Sequence, residues 1–508
     1  MQINIIEYFE ETVKKQPSKI AVIDGEFNVS FLSLQKRSLA LALHLDTFFS
    51  NIINKPIAVY LPKSVDSVVA DIAITYSANF YMNIDIKSPE IRINNILELI
   101  QPAAIITNSF NIEKLRRINT NINIINIDDI DNDSYSKNER LKIKRDSVID
   151  TDPYCIINTS GSTGVPKGVL LNHKSFIDFT EWAKDTFQFS DNEIMGSLSP
   201  LVFDIYSFEL CMLMAKGSTI VLIPDSFAAF PIKILDLLKE KKVTFLFWVP
   251  TIMVNIANMD LLSKIQLPDL KKVWFAGEVF PTKQFNYWKK QLSNVQFTNL
   301  YGPIEITLDC TFFIANREIN DDEPIPIGFP CRNTDILILN EKEELASQGE
   351  EGELCVRGTS LAMGYYNNPE KTKVAFVQNP VNRSYPEIIY RTGDIVSTNN
   401  RGEIIFKGRK DSLIKHLGYR IELGEIEHVI VNTLKLAKNG CVIYNYAKKE
   451  ITLFYESEKE ISIAEFRKQI TTVLPKYMLP TIYLKMDELP RNTNGKIDRL
   501  SLTKIVNG

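Results

Sequence analysis

The 508-residue chain has no uninterrupted apolar run of about 18 residues, so no segment is long enough to span a bilayer as a helix. Its most apolar zone, 198–215, is broken by Asp204 and Glu209. The opening stretch MQINIIEYFEETVKK turns acidic at Glu7, Glu10 and Glu11 before any apolar run, so no secretory leader is read there. Charge of one sign is also missing. Lys plus Arg number 58 and Asp plus Glu 62, a net charge of −4, which argues against a general nucleic-acid binder. The six cysteines, Cys155, Cys211, Cys310, Cys331, Cys355 and Cys441, form no C-x-x-C and are expected to be reduced thiols of a cytoplasmic protein. The four histidines show no ligand spacing, which leaves little room for a zinc site or a histidine-dependent triad. Repeats and low-complexity tracts are absent.

A Walker A loop is missing as well, although one stretch approaches it. TSGSTGVPKG, Thr159 to Gly168, holds three glycines, four hydroxyl residues and a lysine. Five places after Gly161 stands Pro166 rather than glycine, and Gly168 rather than Ser or Thr follows Lys167. The stretch follows a strand-like run, 154–157. Glycines allow close backbone approach to phosphate, hydroxyls donate, and Lys167 adds charge.

What is present elsewhere is an alternation of short β-branched runs with helical patterns. Strands are read at 20–23, 56–61, 103–107, 218–223, 243–247 and 272–275. Helices are read at 31–45, with Leu34, Ser38, Leu41 and Leu45 on one face, and at 65–76. The polar stretch 128–146 reads as a surface loop. The alternation predicts α/β layers with largely parallel pairing. From about Glu341, glycines punctuate short strands (GEEGELCVRG, YRTGDIV, RGEIIFKGRKD), predicting a small β-rich unit. A new βα pattern follows. The expected division is a body over 1–409 and a small, mobile α+β domain over 410–508.

Six further motifs accompany the loop: YGPIE (301–305), GELCVRG (352–358), YRTGD (390–394), GRKDSLIKHLGYRIELGEIE (408–427), LPKYMLP (474–480) and NGKIDR (494–499). In this order, over nearly the whole chain, they resemble the adenylate-forming superfamily of acyl- and aryl-CoA ligases, peptide-synthetase adenylation domains and luciferases. The branch they look most like comprises the amino-acid-activating domains of nonribosomal peptide synthetases and the D-alanine–carrier protein ligases. That resemblance implies ATP-dependent activation of a carboxylate as an acyl-AMP, with release of pyrophosphate and then transfer to a thiol.

The resemblance also implies roles. Thr159, Ser160, Gly161, Ser162, Thr163, Gly164 and Lys167 would cradle the β- and γ-phosphates, with Thr163 counted among the catalytic residues. Glu305 would hold Mg²⁺, a hard cation that prefers oxygen. Tyr301 would lie against adenine, bordered by Gly277 and Glu278. Asp394 would accept from both ribose hydroxyls, and Arg409 would add charge near ribose and phosphate. Lys496 would bridge substrate carboxylate and nucleotide, where charge builds up in the transition state. Asp411 would be the hinge about which the tail turns to bring the Gly418 segment to the site for the thiol step.

Asp204, in LVFDIYSFE, matches the aspartate that pairs with a substrate α-ammonium; read without the resemblance, it is a helix cap. Ile205, Phe208, Phe247, Trp274, Ala276, Leu300, Leu308 and Asp309 would complete the pocket, and its bulk implies a small amino acid such as alanine or serine. Ile304 replaces the threonine usual in YGPTE, removing one hydroxyl. Asn79 and Asn83 stand where glycine and proline are frequent. The sequence ends soon after NGKIDR, so the acceptor is expected to be a separate carrier protein bearing phosphopantetheine. Rival readings are a carboxylate–CoA ligase and a non-catalytic nucleotide-binding relative.

Overall fold

In a computed structural model, the described residues are 2–48, 53–118, 121–132, 139–161, 166–410, 413–457, 461–491 and 497–507. Two mixed sheets share one core. In the nine-stranded sheet, five successive parallel pairings join Gln296–Tyr301, Lys272–Phe275, Phe245–Trp248, Ile194–Ser197, Thr219–Leu222 and Ile20–Asp24. In the seven-stranded sheet, Pro153–Thr159, Phe80–Asn83, Pro56–Val59, Ala104–Thr107 and Asn123–Asn126 run parallel, with Lys167–Asn172 antiparallel at one side.

The period-2 geometry of strands explains the layering. Phe245 and Phe247 face the shared core, and Leu246 and Trp248 face the opposite one. Ile57 and Val59 likewise face the shared core, and Ala58 and Tyr60 the other. Between the sheets lie the helices Val65–Tyr76 and Asp204–Lys216, apolar on nearly every side and buried along nearly their whole length, as all-round hydrophobicity requires. Outer layers are formed by Glu90–Ile100 over one sheet and by Pro231–Glu240, Pro250–Asn258 and Thr282–Gln291 over the other.

An antiparallel unit follows, built from Thr334–Leu339, Gly352–Gly358, Phe376–Gln378, Ile388–Thr398 and Ile404–Arg409. Beyond it come the hairpin Leu413–His416/Tyr419–Glu422 and a three-stranded sheet with its own apolar cluster, here called the tail. The α/β reading of the body therefore holds. The loop expected over 128–146 does not hold throughout, because Glu139–Asp146 is a helix. Leu141 is its one buried residue, and Arg140 and Lys144 pair with Asp46. One apolar contact leaves no periodicity to read.

A polar bridge ties the two central helices together. Asp71 accepts from Tyr206 Oη at 2.8 Å and from Asn83 Nδ2 at 3.1 Å, all three residues being buried. Asp71 Oδ1 and Asn83 Oδ1 have no hydrogen-bond partner among the described residues. Burial pushes the Asp71 carboxyl up to about 7, against hydrogen bonds from Asn83 and Tyr206 that lower it. The folded state thus favours the protonated form, and this site loses stability as pH rises from the ordinary carboxylate range towards 7. Asp71→Asn, which is uncharged at every pH, is expected to raise the melting temperature at pH 8, with the gain shrinking as pH falls to about 4. Thermal unfolding at several pH values checks this, and a gain that grows on acidification refutes it.

Candidate active site

The cleft lies where strand ends of both sheets meet the tail. Its cavity measures about 110 Å³ and is lined by Asn158, Thr159, Ser160, Asp204, Ile205, Ala276, Gly277, Ile304, Leu308 and Asp309 from the body, and by Lys415, Gly418, Tyr419 and Arg420 from the tail. Thr159 Oγ1 and both polar atoms of the Asn158 side chain have no partner among the described residues.

The YGPIE segment is shaped by its glycine. A Cβ at Gly302 would stand 2.4 Å from Leu308 O and 2.5 Å from Asp309 Cα. Only glycine lets the chain fold back so closely. Thr307 and Leu308 carry φ of 54° and 64°, a left-handed turn that costs a side-chain-bearing residue energy and brings Leu308 and Asp309 to the cavity. Glu305, on the short 3₁₀ turn Ile304–Ile306, is fully buried. It accepts from Tyr365 Oη at 2.8 Å and pairs with Arg420 at 2.5 Å. Burial alone would raise its carboxyl, but Arg420, Lys167 and Tyr365 outweigh burial and hold it below the ordinary range. Glu305 is thus an ionised, hard-oxygen donor. No group of three or more potential metal-ligating residues occurs among the described residues. A cation here would take one protein carboxylate plus oxygens from phosphate and water, as suits Mg²⁺.

Asp204 is the first residue of helix Asp204–Lys216, with Phe203 at the cap position. Loss of hydration pushes its carboxyl up to about 6, against Lys415 and the backbone N–H groups of Ile205, Asp204 and Leu308. Asp309 is buried, and burial together with the Asp204 charge raises its carboxyl well above the ordinary range. Burial pushes the Lys415 ammonium down, opposed by Asp394 and Asp309, and its Nζ stands 6.0 Å over the Tyr301 ring. Tyr301 Oη donates to Asp394, which also pairs with Arg409 at 2.5 Å.

Asp204, Ile205, Ala276, Leu308 and Asp309 therefore share one cavity. Phe208, Phe247, Trp274 and Leu300 do not line it. They pack behind its wall, with Phe208 stacked on Trp274 at 5.3 Å and Phe247 edge-on to Trp274 at 5.5 Å. Gly277 borders the cavity, whereas Glu278 accepts from Gly418 N at 2.8 Å and from Thr251 N at 3.0 Å. Asn83 stands in the Asp71 bridge, and Asn79 accepts from Lys55 N at 3.0 Å, so neither lines the cavity. Ser162, Thr163, Gly164, Asp411 and Lys496 lie outside the described residues.

The sequence reading took only Gly418 from the hairpin, and its neighbours prove as important. Ser160 Oγ donates to Arg420 O at 2.7 Å and accepts from Glu422 N at 3.0 Å. Lys167 pairs with Glu422 at 2.7 Å. Glu425 accepts from Gly161 N at 3.2 Å and from Arg92 at 2.6 Å. Tyr419 stacks on Tyr477 at 3.6 Å and meets Phe203 edge-on. The alternating charges of KHLGYRIELGEIE were the available signal, but such a run ordinarily reads as a solvated face.

Comparison with known proteins now places the chain. The model of the AMP-binding enzyme family matches residues 9–366, and the chain belongs to that family. It is 31% identical to gramicidin S synthase 2 of Aneurinibacillus migulanus over 503 residues, which is 98% of this chain and 11% of that one. It is 28% identical to zwittermicin A synthase ZmaJ of Bacillus cereus, covering 98% of this chain and 94% of that one. Among solved structures, it superposes on the Vibrio cholerae adenylation domain AlmE, in complex with glycyl-adenosine-5'-phosphate, with a TM-score of 0.82 at 20% identity, over 99% and 98% of the two chains. PA1221, a protein with adenylation and PCP domains, gives 0.83 at 21% identity, over 99% and 84%. The chain thus spans a small part of gramicidin S synthase 2 and shares the fold of adenylation domains; it is an adenylate-forming enzyme of that type. No helix among its described residues is long and apolar enough to cross a membrane.

Gly418 tests the docking of the hairpin. Its φ is +81°, and a Cβ there would stand 2.9 Å from Val249 Cγ1 and 3.1 Å from Phe203 Cε2. A left-handed non-glycine costs about 1–2 kcal/mol before any clash. Gly418→Ala is expected to loosen the hairpin and speed tryptic cleavage after Arg409 or Lys410 roughly 5–30-fold. An unchanged cleavage rate refutes the tight seating.

Proposed function

We propose that this chain joins the carboxylate of a small α-amino acid, alanine or serine, to the α-phosphate of ATP, releases pyrophosphate, and passes the aminoacyl group to the phosphopantetheine thiol of a carrier protein. The observation that carries the reading is the Asp204–Asp309 cavity. Asp204 sits at a helix start with little hydration, where a cation best offsets its charge. Asp309 faces the same space, and burial beside the Asp204 charge favours its protonated form, a hydrogen-bonding group suited to a short hydroxylated side chain. The packed wall of Phe208, Phe247 and Trp274 leaves no depth for a long one. The glycyl adenylate of AlmE and the paired adenylation and PCP domains of PA1221 support the same reaction class.

The residues divide the work as follows. Thr159, Ser160, Gly161 and Lys167 receive the departing phosphates. Tyr301 and Gly277 flank the base, and Asp394, held by Arg409, accepts from the ribose. Glu305 offers its ionised carboxylate to Mg²⁺, which neutralises phosphate charge when bound. Lys496 stabilises charge between carboxylate and α-phosphate; losing it is expected to cost about 3–4 kcal/mol in the adenylation step. The tail over 410–508 turns about Asp411 between the two half-reactions.

Amino-acid-dependent ATP–pyrophosphate exchange across the common amino acids is the test. Alanine or serine is expected to lead by about tenfold, roughly 1.4 kcal/mol. Faster exchange with ornithine or arginine overturns the substrate class. Exchange with none of them revives a nucleotide-binding relative, and transfer to coenzyme A in preference to a carrier favours a carboxylate–CoA ligase. The pH profile offers a second check. Asp204 must be ionised to hold an ammonium, so kcat/KM for the amino acid is expected to fall about tenfold per unit below about pH 6 and to level off above it. Asp204→Asn is expected to lose roughly 10²-fold or more at pH 8. A profile flat through pH 5 refutes the role.

A further inference from the structure

Arg92, on the helix Glu90–Ile100, belongs to none of the motifs, yet its side chain lines the cleft and is only 8% exposed. Its guanidinium donates to Glu425 Oε1 at 2.6 Å, and the other oxygen of the same carboxylate accepts from Gly161 N–H at 3.2 Å. Beside them Lys167 donates to Glu422 Oε1 at 2.7 Å. Three donors of the body, Arg92 from a helix, Lys167 from a strand and Gly161 from between strands, thus converge on two carboxylates of the tail, at the loop read as the phosphate cradle. A guanidinium fork, a backbone N–H and an ammonium are also the donors that suit a phosphate.

Of the groups whose charges act on Arg92, Glu425 and Tyr477 belong to the tail, while Asp85 belongs to the body and is itself engaged by Lys87 and Lys114. Removing Glu425 therefore strips a buried cation of the one carboxylate hydrogen-bonded to it among the described residues, next to the phosphate loop. Such a cation is costly unless another anion takes the place.

We propose that Arg92, the Gly161 amide and Lys167 form one anion-binding set, held by Glu425 and Glu422 when the tail is docked and by the outer phosphates of ATP when it withdraws, so that docked tail and triphosphate exclude each other. This rests on the ATP reading of the cleft given above. It adds Arg92 as a phosphate contact and makes the two glutamates competitors of the nucleotide.

Calorimetric titration of the full chain with Mg·ATP and, separately, with AMP is the experiment, because AMP lacks the outer phosphates. Glu425→Gln is expected to tighten ATP binding about three- to tenfold by depopulating a competing state, with AMP affinity unchanged. Arg92→Met is expected to weaken ATP about tenfold relative to AMP, and Arg92→Lys, which keeps charge but loses the fork, to weaken it less. If Arg92 served only to hold the tail, Arg92→Met would instead tighten ATP as Glu425→Gln does. That sign, or an ATP-to-AMP ratio unchanged in the variants, overturns the proposal while leaving the nucleotide reading intact. A wild-type chain that binds neither nucleotide overturns both. Should Arg92→Met not fold, Arg92→Lys decides by the same ratio.

Discussion

Charge inside the cleft must be answered by opposite charge, and the docking of the tail follows from that constraint. Glu305 and Glu425 are fully buried, and Arg92 nearly so. Breaking such a pair by removing one partner typically costs about 3–5 kcal/mol, because the remaining ion keeps its desolvation penalty without its partner. The hairpin presents Lys415, Arg420 and Glu422, and the helix Leu423–His428 that follows it presents Glu425. The cleft answers with its aspartates, Glu305, Lys167 and the Arg92–Gly161 donors in turn. The sign changes from plus to minus along the tail where it changes from minus to plus along the body. A one-residue slip of the hairpin would turn these side chains to the wrong face. Withdrawal of the tail is therefore an exchange of partners rather than a simple opening, and it is cheap only when something of matching charge enters.

The body must hold its half of this pattern still. It does so by placing each group at the end of a regular element. Lys167 begins a strand, Asp204 begins a helix and Arg92 stands in the first turn of another. Asp309 is set by the Thr307–Leu308 turn, which Gly302 makes possible. The sheets beneath are packed on both faces, so these positions inherit the rigidity of a filled core. A bridge of polar atoms through that core, Tyr206–Asp71–Asn83, joins the Asp204 helix to the helix Val65–Tyr76 and to a strand of the other sheet.

Much of this was legible in the sequence, for reasons that differ by region. The helix Val65–Tyr76 and the strand Lys272–Phe275 were read at their observed bounds because each is a mostly apolar stretch between punctuating residues. Asp204 was legible because an acid near the end of an apolar run requires an explanation, whereas Asp309 was reached only through the resemblance. Arg92 was not legible, since EIRINNILELI reads as an ordinary surface helix and its partner lies 333 residues away. The charges of the hairpin were in plain view, but their burial depends on a surface supplied by the body. Residue type also misled at the wall. Phe208, Phe247 and Trp274 fall where pocket residues are expected, yet bulky rings gain more by stacking on one another than by facing a small polar cavity.

That last point bears on how selectivity is built. Trp274 also meets Phe187 at 4.6 Å and Phe245 at 5.2 Å, so the wall of the cavity is continuous with the hydrophobic core. Cutting Trp274 back to alanine would remove about 3–5 kcal/mol, a large share of the roughly 5–15 kcal/mol that holds a typical protein folded. The cavity is small because the core behind it is full, and the same rings serve stability and discrimination. Enlarging it requires compensating volume elsewhere in the cluster, whereas the polar end, Asp204 and Asp309, can change without disturbing the packing. Size selection in this fold is therefore the conservative property, and recognition of the polar groups of the substrate is the adjustable one.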